Sequence, residues 1–236
     1  MKAKSFVRLY FFRSSFFIFR FFHLTPPPPT TLNMHIALFG TSADPPTRAH
    51  QDILVWLADQ FDEVAVWASD NPFKSHQTPL EHRTAMLRLM VAEIRPVRQN
   101  LHVYPDLSHP RALVTVNRAR RRWKQATFTL VVGSDLVAQL PKWYRVEALL
   151  QAVRLLIVPR PGYPLLEVDL ELLRNLGATV AIAPHEGIPA SSTAYRTEKD
   201  PHLLTPPIEA YIHQQRLYTS CQNDTPASLV TPLPTS

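Results

Sequence analysis

The chain has 236 residues, a formal net charge of +6 and a pI of about 9.7. This length suits one α/β domain with a sizeable buried core. The basic charge does not indicate a nucleic-acid-binding protein, because five basic residues and no acidic residue fall in the first 33 positions, which leaves residues 34–236 nearly neutral. The single cysteine, Cys221, excludes an internal disulfide and a cysteine-based zinc site, and it fits a cytoplasmic protein.

The start of the chain differs in composition from the rest. Within residues 1–25 the longest uncharged run, residues 14–19, is far shorter than the roughly 20 residues that span a bilayer. The N-terminal segment lacks the clear apolar core and the cleavage site of a secretory signal. Its Arg and Ser content, without acidic residues, leaves open the interpretation as a transit peptide. We favour a start at Met34, behind a stiff polyproline spacer. We therefore expect a disordered or wrongly assigned extension (1–33), one domain (34–218) and a disordered tail (219–236).

From Met34 onward, short apolar runs alternate with segments of helical periodicity. This alternation predicts a parallel sheet with helices on both faces, and right-handed crossovers make it a doubly wound, Rossmann-like α/β domain. The sequence contains neither GxGxxG nor GxxxxGK[ST], so a dehydrogenase-type dinucleotide site and a P-loop are disfavoured. The expected strands are 36–39, 64–68, 101–104, 128–132, 153–158 and 179–183. The expected helices are 50–60, 80–94, 112–124, 143–151, 168–176 and 206–215.

The junction between the first strand and the first helix carries the most informative residues. It reads Gly40-Thr-Ser-Ala-Asp44-Pro-Pro-Thr47-Arg-Ala-His50. The carboxyl end of a parallel strand faces the ligand crevice, and the unpaired N–H groups at a helix start suit a phosphate. Thr47 and His50 are three residues apart, so both side chains can lie on one face at the start of the helix.

Three later segments place polar or aromatic residues after predicted strands. Lys74 follows the second strand, where it can reach a phosphate as a point charge. Asp135 comes two residues after Gly133 at the end of the fourth strand, where a carboxylate can bind a ribose or nucleobase, and Trp143 is expected to open the next helix. Arg160 follows the fifth strand and offers a planar fork for a carboxylate or phosphate. Each residue also has an ordinary structural interpretation, such as a solvated Lys or a core Trp.

The last informative segment is Ser191-Ser192-Thr193-Ala-Tyr-Arg196. Hydroxyl residues at a helix N-terminus cap the helix, and the outward N–H donors together with the Arg196 guanidinium suit phosphates. A simply capped helix explains the segment equally well when it is taken alone. Its combination with Thr47 and His50, about 140 residues earlier, favours a site for the β- and γ-phosphates of ATP.

Together these segments resemble the nucleotidyltransferase superfamily, and within it the bacterial, cyanobacterial-like nicotinate-nucleotide adenylyltransferases. Residues 40–50 resemble GxFDPxHxGH in its (H/T)xGH form, and residues 191–196 resemble ISSTxIR. Residues 133–143 match GxDxxxxxxxW in full, residues 160–163 resemble a shared RPGY, and residues 67–76 resemble a loop of the type W-x-P-x-x-x-P-x-K-x-H. The departures from the family pattern are Ala43, Ala49 and Ala112, the last replacing a Thr of the TxxT pattern.

The resemblance implies adenylyl transfer from ATP to nicotinate mononucleotide, with deamido-NAD and pyrophosphate as products. It implies Mg²⁺ that arrives with ATP and no metal site of the protein's own. The implied catalytic residues are His50, Thr47, Lys74 and Arg196. The implied ATP-binding residues are Gly40, Thr41, Ser42, Asp44, Gly133, Asp135, Ser191, Ser192 and Thr193. The implied nicotinate mononucleotide-binding residues are Thr115, Trp143, Tyr144 and Arg160.

Two rival functions stay open at the level of the sequence. One is another adenylyltransferase of the superfamily, acting on nicotinamide mononucleotide or on pantetheine phosphate. Trp143, the RPGY segment and the greater length argue against the pantetheine-phosphate enzyme, whereas the preference for the acid or the amide stays open. The other is a non-catalytic nucleotide-binding regulator, against which the presence of His50, Lys74 and Arg196 argues. We expect a cytoplasmic protein without nucleic-acid or membrane partners, and a homo-oligomer is open. Membrane tethering through residues 1–25 is a weaker alternative.

Overall fold

The structure is a computed structural model, and it describes residues 33–70, 77–185 and 187–219. Six strands form one parallel sheet in the order β3-β2-β1-β4-β5-β6. The chain moves outward from β1 to β3 and then crosses back to continue from β4 to β6, so the strand order reverses between β1 and β4. The strands are β1 His35–Thr41, β2 Glu63–Ala68, β3 Leu101–Val103, β4 Thr127–Gly133, β5 Arg154–Val158 and β6 Thr179–Ile182.

Within the described ranges, seven α-helices accompany the sheet, and none of them is both long and apolar enough to cross a bilayer. Short 3₁₀ segments lie at Pro105–Leu107, Ser134–Lys142 and Pro201–Leu203. The α-helices are α1 Arg48–Gln60, α2 Leu80–Glu93, α3 Ala112–Arg122, α4 Val146–Ala152, α5 Glu167–Asn175, α6 Ser192–Glu198 and α7 Pro206–Gln215.

The core consists of two apolar clusters, one on each face of the sheet. Alternate residues of β1 belong to different clusters: Ala37 and Phe39 to one, and Ile36 and Leu38 to the other. The first cluster contains buried residues of α1, α2 and α7, and the second contains those of α3, α4 and α5. A strand that is covered on both faces must be apolar at every position, which explains the continuous apolar run that marks β1.

The expected doubly wound α/β fold is confirmed, and the six expected strands and six expected helices occur in the predicted order with shifted ends. The additional helix, α6, begins at the hydroxyl-rich segment that the sequence suggested as a helix cap. One helix start was wrong. Trp143 was expected to open a helix, but it follows the 3₁₀ segment Ser134–Lys142, and α4 begins only at Val146. Trp143 has an extended backbone (ψ 150°) and Arg145 before α4 has a left-handed one (φ 50°), so no helix runs through these residues.

Several sequence predictions concern residues outside the described ranges. They concern residues 1–32 of the extension, residues 71–76 of the loop with Lys74, and residues 220–236 of the tail with Cys221. The predictions for these segments stay predictions.

Candidate active site

The carboxyl ends of β1 and β4 form the centre of the candidate site. Thr41 ends β1 and Gly133 ends β4, at the point where the strand order reverses. In open parallel sheets the two chain crossovers leave this point in opposite directions, which opens a crevice for a ligand. The sequence predicted both strands but ended the first one two residues early, at position 39; their adjacency follows from the direct pairing of β1 with β4.

The turn after β1 places Thr47 and His50 at the start of α1. Thr47 is fully buried and caps the helix with an extended backbone. Its backbone N–H donates to Nδ1 of His50 over 3.0 Å, and its hydroxyl lies 2.9 Å from the same nitrogen. The two side chains therefore meet as their spacing predicted. The first turn of α1 contains no acidic residue, so its N-terminal dipole is not offset there.

Ala43, in the same turn, takes the position of the usual family Phe. It is buried and has a positive φ of 48°, a backbone region that residues with a Cβ rarely adopt. The short side chain limits crowding inside the turn, although it retains the backbone strain.

Three hydrogen bonds join the turn before α1 to residues 190–196, which enter and form most of α6. In each, a side chain of one segment donates to a backbone carbonyl of the other, so the two distant signatures form one unit. The donor–acceptor pairs are Thr47 Oγ1 with Ala190 O (2.7 Å), Ser192 Oγ with Pro45 O (2.8 Å), and Arg196 Nη1 with Asp44 O (2.5 Å).

The start of α6 is capped as its sequence suggests. Ser191 Oγ accepts a hydrogen bond from the backbone N–H of Ala194 over 3.0 Å. Arg196 Nη2 also donates to Thr193 Oγ1 over 3.3 Å, which holds the guanidinium beside the cap. The predicted residues 191–193 and Arg196 thus lie together, next to the turn that precedes α1.

At the end of β4, two predicted site residues contact each other. Arg160 Nη1 donates to Asp135 Oδ2 over 2.8 Å, with both side chains partly exposed. Asp135 Oδ1 is buried and has no hydrogen-bond partner among the described residues. A Cβ at Gly133 would lie 2.3 Å from Asp135 Oδ1, so a larger residue there would displace the Asp135 carboxylate from its present position. A cavity of about 260 Å³ opens beside the pair, lined by segments 134–138 and 162–169.

The residues predicted for the pyridine end of the substrate lie in different environments. Trp143 is half-buried and packs against the core cluster of α3 to α5. Tyr144 is 47% exposed, and the Arg111 guanidinium carbon lies 4.3 Å from its ring centroid. Thr115 is buried, and its hydroxyl donates to Leu107 O over 2.8 Å. The Thr115 hydroxyl is therefore engaged inside the protein, where it supports the turn before α3.

Sequence reasoning missed Arg83 of α2, which is 3% exposed. Its Nε donates to Thr78 O over 2.7 Å, and its Nη1 donates to Ser42 O (2.9 Å) and Ser69 O (2.7 Å). One guanidinium thus ties together the loops that follow β1 and β2. Burial lowers the pKa of Arg83, and the nearby Asp44 charge opposes that shift. The signal was available, since Arg83 shares a helical face with Met86, Leu87 and Met90.

Comparison with known proteins identifies the family. Residues 38–198 match the cytidylyltransferase-like family. A probable nicotinate-nucleotide adenylyltransferase of Synechocystis sp. is 45% identical over 202 residues, which cover 78% of this chain and 99% of that relative. A Gemmatimonas aurantiaca protein of the same name is 34% identical over 70% of this chain and 80% of its own length.

A solved structure shares the fold at much lower sequence identity. Plasmodium falciparum nicotinic acid mononucleotide adenylyltransferase, complexed with NaAD, superimposes with a TM-score of 0.68 at 19% identity over 79% of this chain and 98% of its own. The fold, the hydrogen-bonded segments at the strand ends and these relatives all point to the same family. The chain belongs to the cytidylyltransferase-like family, among its nicotinate-nucleotide adenylyltransferases.

Proposed function

We propose that the chain transfers the adenylyl group of MgATP to nicotinate mononucleotide, with deamido-NAD and pyrophosphate as products. The observation that carries the proposal is the set of three hydrogen bonds that joins the turn before α1 to the start of α6. They bring Thr47, His50 and Arg196 to one end of the sheet, as a phosphate-binding site requires. The Synechocystis relative, at 45% identity over nearly its whole length, supports the same substrates.

The reaction needs positioning and charge stabilisation more than proton transfer. A phosphate oxygen of nicotinate mononucleotide forms a bond to the α-phosphorus of ATP, and the bond from that phosphorus to the bridging β-phosphate oxygen breaks. Pyrophosphate leaves with the electron pair. The nucleophile is already an anion, so no strong base is required, and fixed donors around the phosphates supply most of the catalysis.

His50 is the proposed donor to the α-phosphate. Because Nδ1 accepts the Thr47 backbone N–H, the proton of a neutral ring is assigned to Nε2. An Nε2–H group can donate to an α-phosphate oxygen as negative charge develops in the transition state. The Thr47 backbone N–H supports this role by fixing the ring through Nδ1, while the Thr47 hydroxyl donates to Ala190 O before α6.

The β- and γ-phosphates are assigned to the start of α6 and to two cations. Arg196 is already held by Asp44 O and Thr193 Oγ1, so little side-chain entropy is lost when it binds a phosphate. Residues 191–193 would add backbone and hydroxyl donors. Lys74 is proposed as the second cation on the resemblance alone, because it lies outside the described residues.

The adenosine and nicotinate ends are assigned to the carboxyl ends of β4 and β5. Asp135 Oδ1, which has no hydrogen-bond partner among the described residues, is an acceptor that suits a ribose hydroxyl. Arg160 keeps further N–H donors after its bond to Asp135, and we assign them to the nicotinate carboxylate. Trp143 and Tyr144 are proposed to pack on the pyridine ring. The buried Thr115 would act indirectly, through the turn that it supports.

We propose that Mg²⁺ enters the site bound to ATP. Across the described ranges, no three His, Cys, Asp or Glu side chains group as a ligand set. A Mg²⁺ ion bound mainly by water and by the substrate phosphates would need no such set, and it would supply charge neutralisation for the leaving pyrophosphate. We further propose a cytoplasmic enzyme, a setting that suits a chain with one cysteine.

Pyrophosphate release by the full chain with MgATP tests the proposal. Nicotinate mononucleotide, nicotinamide mononucleotide and phosphopantetheine are compared as acceptors, and we expect clear preference for the first. Preference for phosphopantetheine would assign the chain to another adenylyltransferase. ATP binding without turnover on any acceptor would instead favour a non-catalytic regulator.

A further inference from the structure

The last described residues return to the candidate site after α7. The Tyr218 hydroxyl donates to Asp44 Oδ1 over 2.6 Å, across 174 positions of sequence. The backbone carbonyl of Tyr218 accepts a hydrogen bond from Lys199 Nζ over 2.8 Å. The Tyr195 ring meets the Tyr218 ring edge-on at a centroid distance of 6.0 Å. Tyr218 is thus held at its backbone, its ring and its hydroxyl.

Asp44 is the residue through which this contact reaches the site. It is 5% exposed, and its other carboxylate oxygen accepts the Thr78 backbone N–H over a long 3.4 Å. Its backbone carbonyl accepts from Arg196. Two prolines follow it, and then Thr47 caps α1. Because the two prolines restrict the backbone between them, the position of Asp44 helps to fix the start of the helix.

The Tyr218 hydroxyl is suited to act as a permanent donor. Burial, and then the hydrogen bond to the Asp44 carboxylate, raise the pKa of Tyr218 above its ordinary value of 10.0. The phenol therefore stays protonated at any pH at which the protein would act. A hydrogen bond from a neutral donor to a buried carboxylate is among the stronger kinds in proteins.

We propose that Tyr218 is a positioning residue of the adenylyl-transfer site. Its hydroxyl holds Asp44, and Asp44 holds the turn that brings Thr47 and His50 to the phosphates of ATP. The proposal rests on the proposed function and deepens it, because the C-terminal segment then serves ATP binding as well as packing.

A pair of matched substitutions in the full chain separates positioning from packing. Tyr218→Phe removes the hydroxyl on Asp44 and keeps the ring. Tyr211→Phe is the control, because the Tyr211 hydroxyl pairs with His82 Nδ1 over 2.9 Å and joins α7 to α2. Both variants lose one C-terminal hydroxyl and one hydrogen bond between elements.

Kinetics and binding give the decisive readouts, measured well below the melting temperature of each variant. We expect Tyr218→Phe to lower kcat/KM for MgATP roughly 10- to 100-fold, the size expected when a hydrogen bond to a charged group is lost. The KM for nicotinate mononucleotide should change little. Tyr211→Phe should keep both parameters within about 2-fold, because a hydrogen bond remote from the site does not alter phosphate geometry.

Binding of α,β-methylene ATP by calorimetry separates this proposal from the proposed function, because it requires no turnover. If the native chain binds the analogue but turns over no acceptor, the proposed function fails, and weaker binding by Tyr218→Phe still supports the positioning role. The positioning role is overturned if Tyr218→Phe binds the analogue as tightly as the native chain. It is also overturned if both variants lose affinity equally, or if the native chain does not bind the analogue.

Discussion

The guanidinium of Arg160 and the carboxylate of Asp135 form an ion pair 2.8 Å long at the carboxyl ends of neighbouring strands. The sequence assigned the two residues to different substrates, with Asp135 on ATP and Arg160 on nicotinate mononucleotide. Their contact couples the two assignments, since a change in either residue alters the charge beside the other.

Substitution of Arg160 tests how the acid form of the substrate is chosen. Arg160→Gln should lower kcat/KM for nicotinate mononucleotide more than for nicotinamide mononucleotide, which reduces the preference about 10-fold through loss of a charge-assisted hydrogen bond. Competition between the two acceptors measures the preference directly. Equal losses on both acceptors would mean that Arg160 acts only by orienting Asp135.

Substitution of His50 tests transition-state stabilisation. His50→Ala should lower kcat roughly 100- to 1,000-fold with a smaller change in KM for ATP, as expected when a preorganised donor to a developing charge is lost. His50→Gln retains an amide donor and should recover part of the rate. A normal kcat in His50→Ala, at unchanged thermal stability, would remove His50 from the catalytic residues.

Gly40 is constrained by the neighbouring strand. A Cβ at this position would lie 2.6 Å from the ring of Trp67, which β2 places opposite it. Gly40→Ala should therefore destabilise the fold by about 1–3 kcal/mol through overpacking. Gly187→Ala is a control, because its Cβ would meet no atom closer than Pro159 O at 3.6 Å. Urea unfolding compares the variants, and equal midpoints would contradict the steric argument.

Arg83 should matter for both stability and activity. Arg83→Met leaves three loop carbonyls without their donor and should cost about 2–4 kcal/mol in unfolding free energy. The loops after β1 and β2 would no longer be tied, so activity should fall even where the variant is folded. Arg88→Met, on the exposed side of the same helix, should stay within about 0.5 kcal/mol. Similar losses in both variants would argue against a tie between the loops.

His35 should make stability decrease in acid. Burial, aided by the Arg154 charge, lowers the pKa of His35 below its ordinary value of 6.5. Above that value the ring is neutral in both states, so folding carries no protonation penalty. As the pH falls below 6.5, the unfolded chain binds the proton first, and stability is lost until the folded state also protonates.

The acid sensitivity can be assigned by substitution. His35→Gln keeps a polar group beside Thr129 Oγ1, the present partner of His35 Nε2 at 2.9 Å, and should lose less stability than the native chain between pH 7.5 and 5.5. His213→Gln is the control, because the His213 side chain is 77% exposed. Thermal melting at the two pH values measures the difference. An unchanged acid response in His35→Gln would assign the sensitivity to other groups.

Local features of the sequence were sufficient to predict the architecture. Alternating apolar runs and helical periodicities predicted a doubly wound parallel sheet, because a strand buried on both faces has a continuous apolar signature. Spacing also predicted the meeting of Thr47 and His50, since residues three apart on a helix are neighbours. The predicted helix start failed at Trp143, because the extended Trp143 and the left-handed Arg145 separate a 3₁₀ segment from α4.

Contacts between distant segments were decided only by the tertiary structure. The bond from Thr47 to Ala190, the ion pair of Arg160 with Asp135, and the Tyr218 hydroxyl on Asp44 each join positions 25 to 174 residues apart. A periodicity specifies which face of an element is buried, but not which partner that face meets. Burial makes an unpartnered polar atom costly, and only the packed chain determines which partner is within reach.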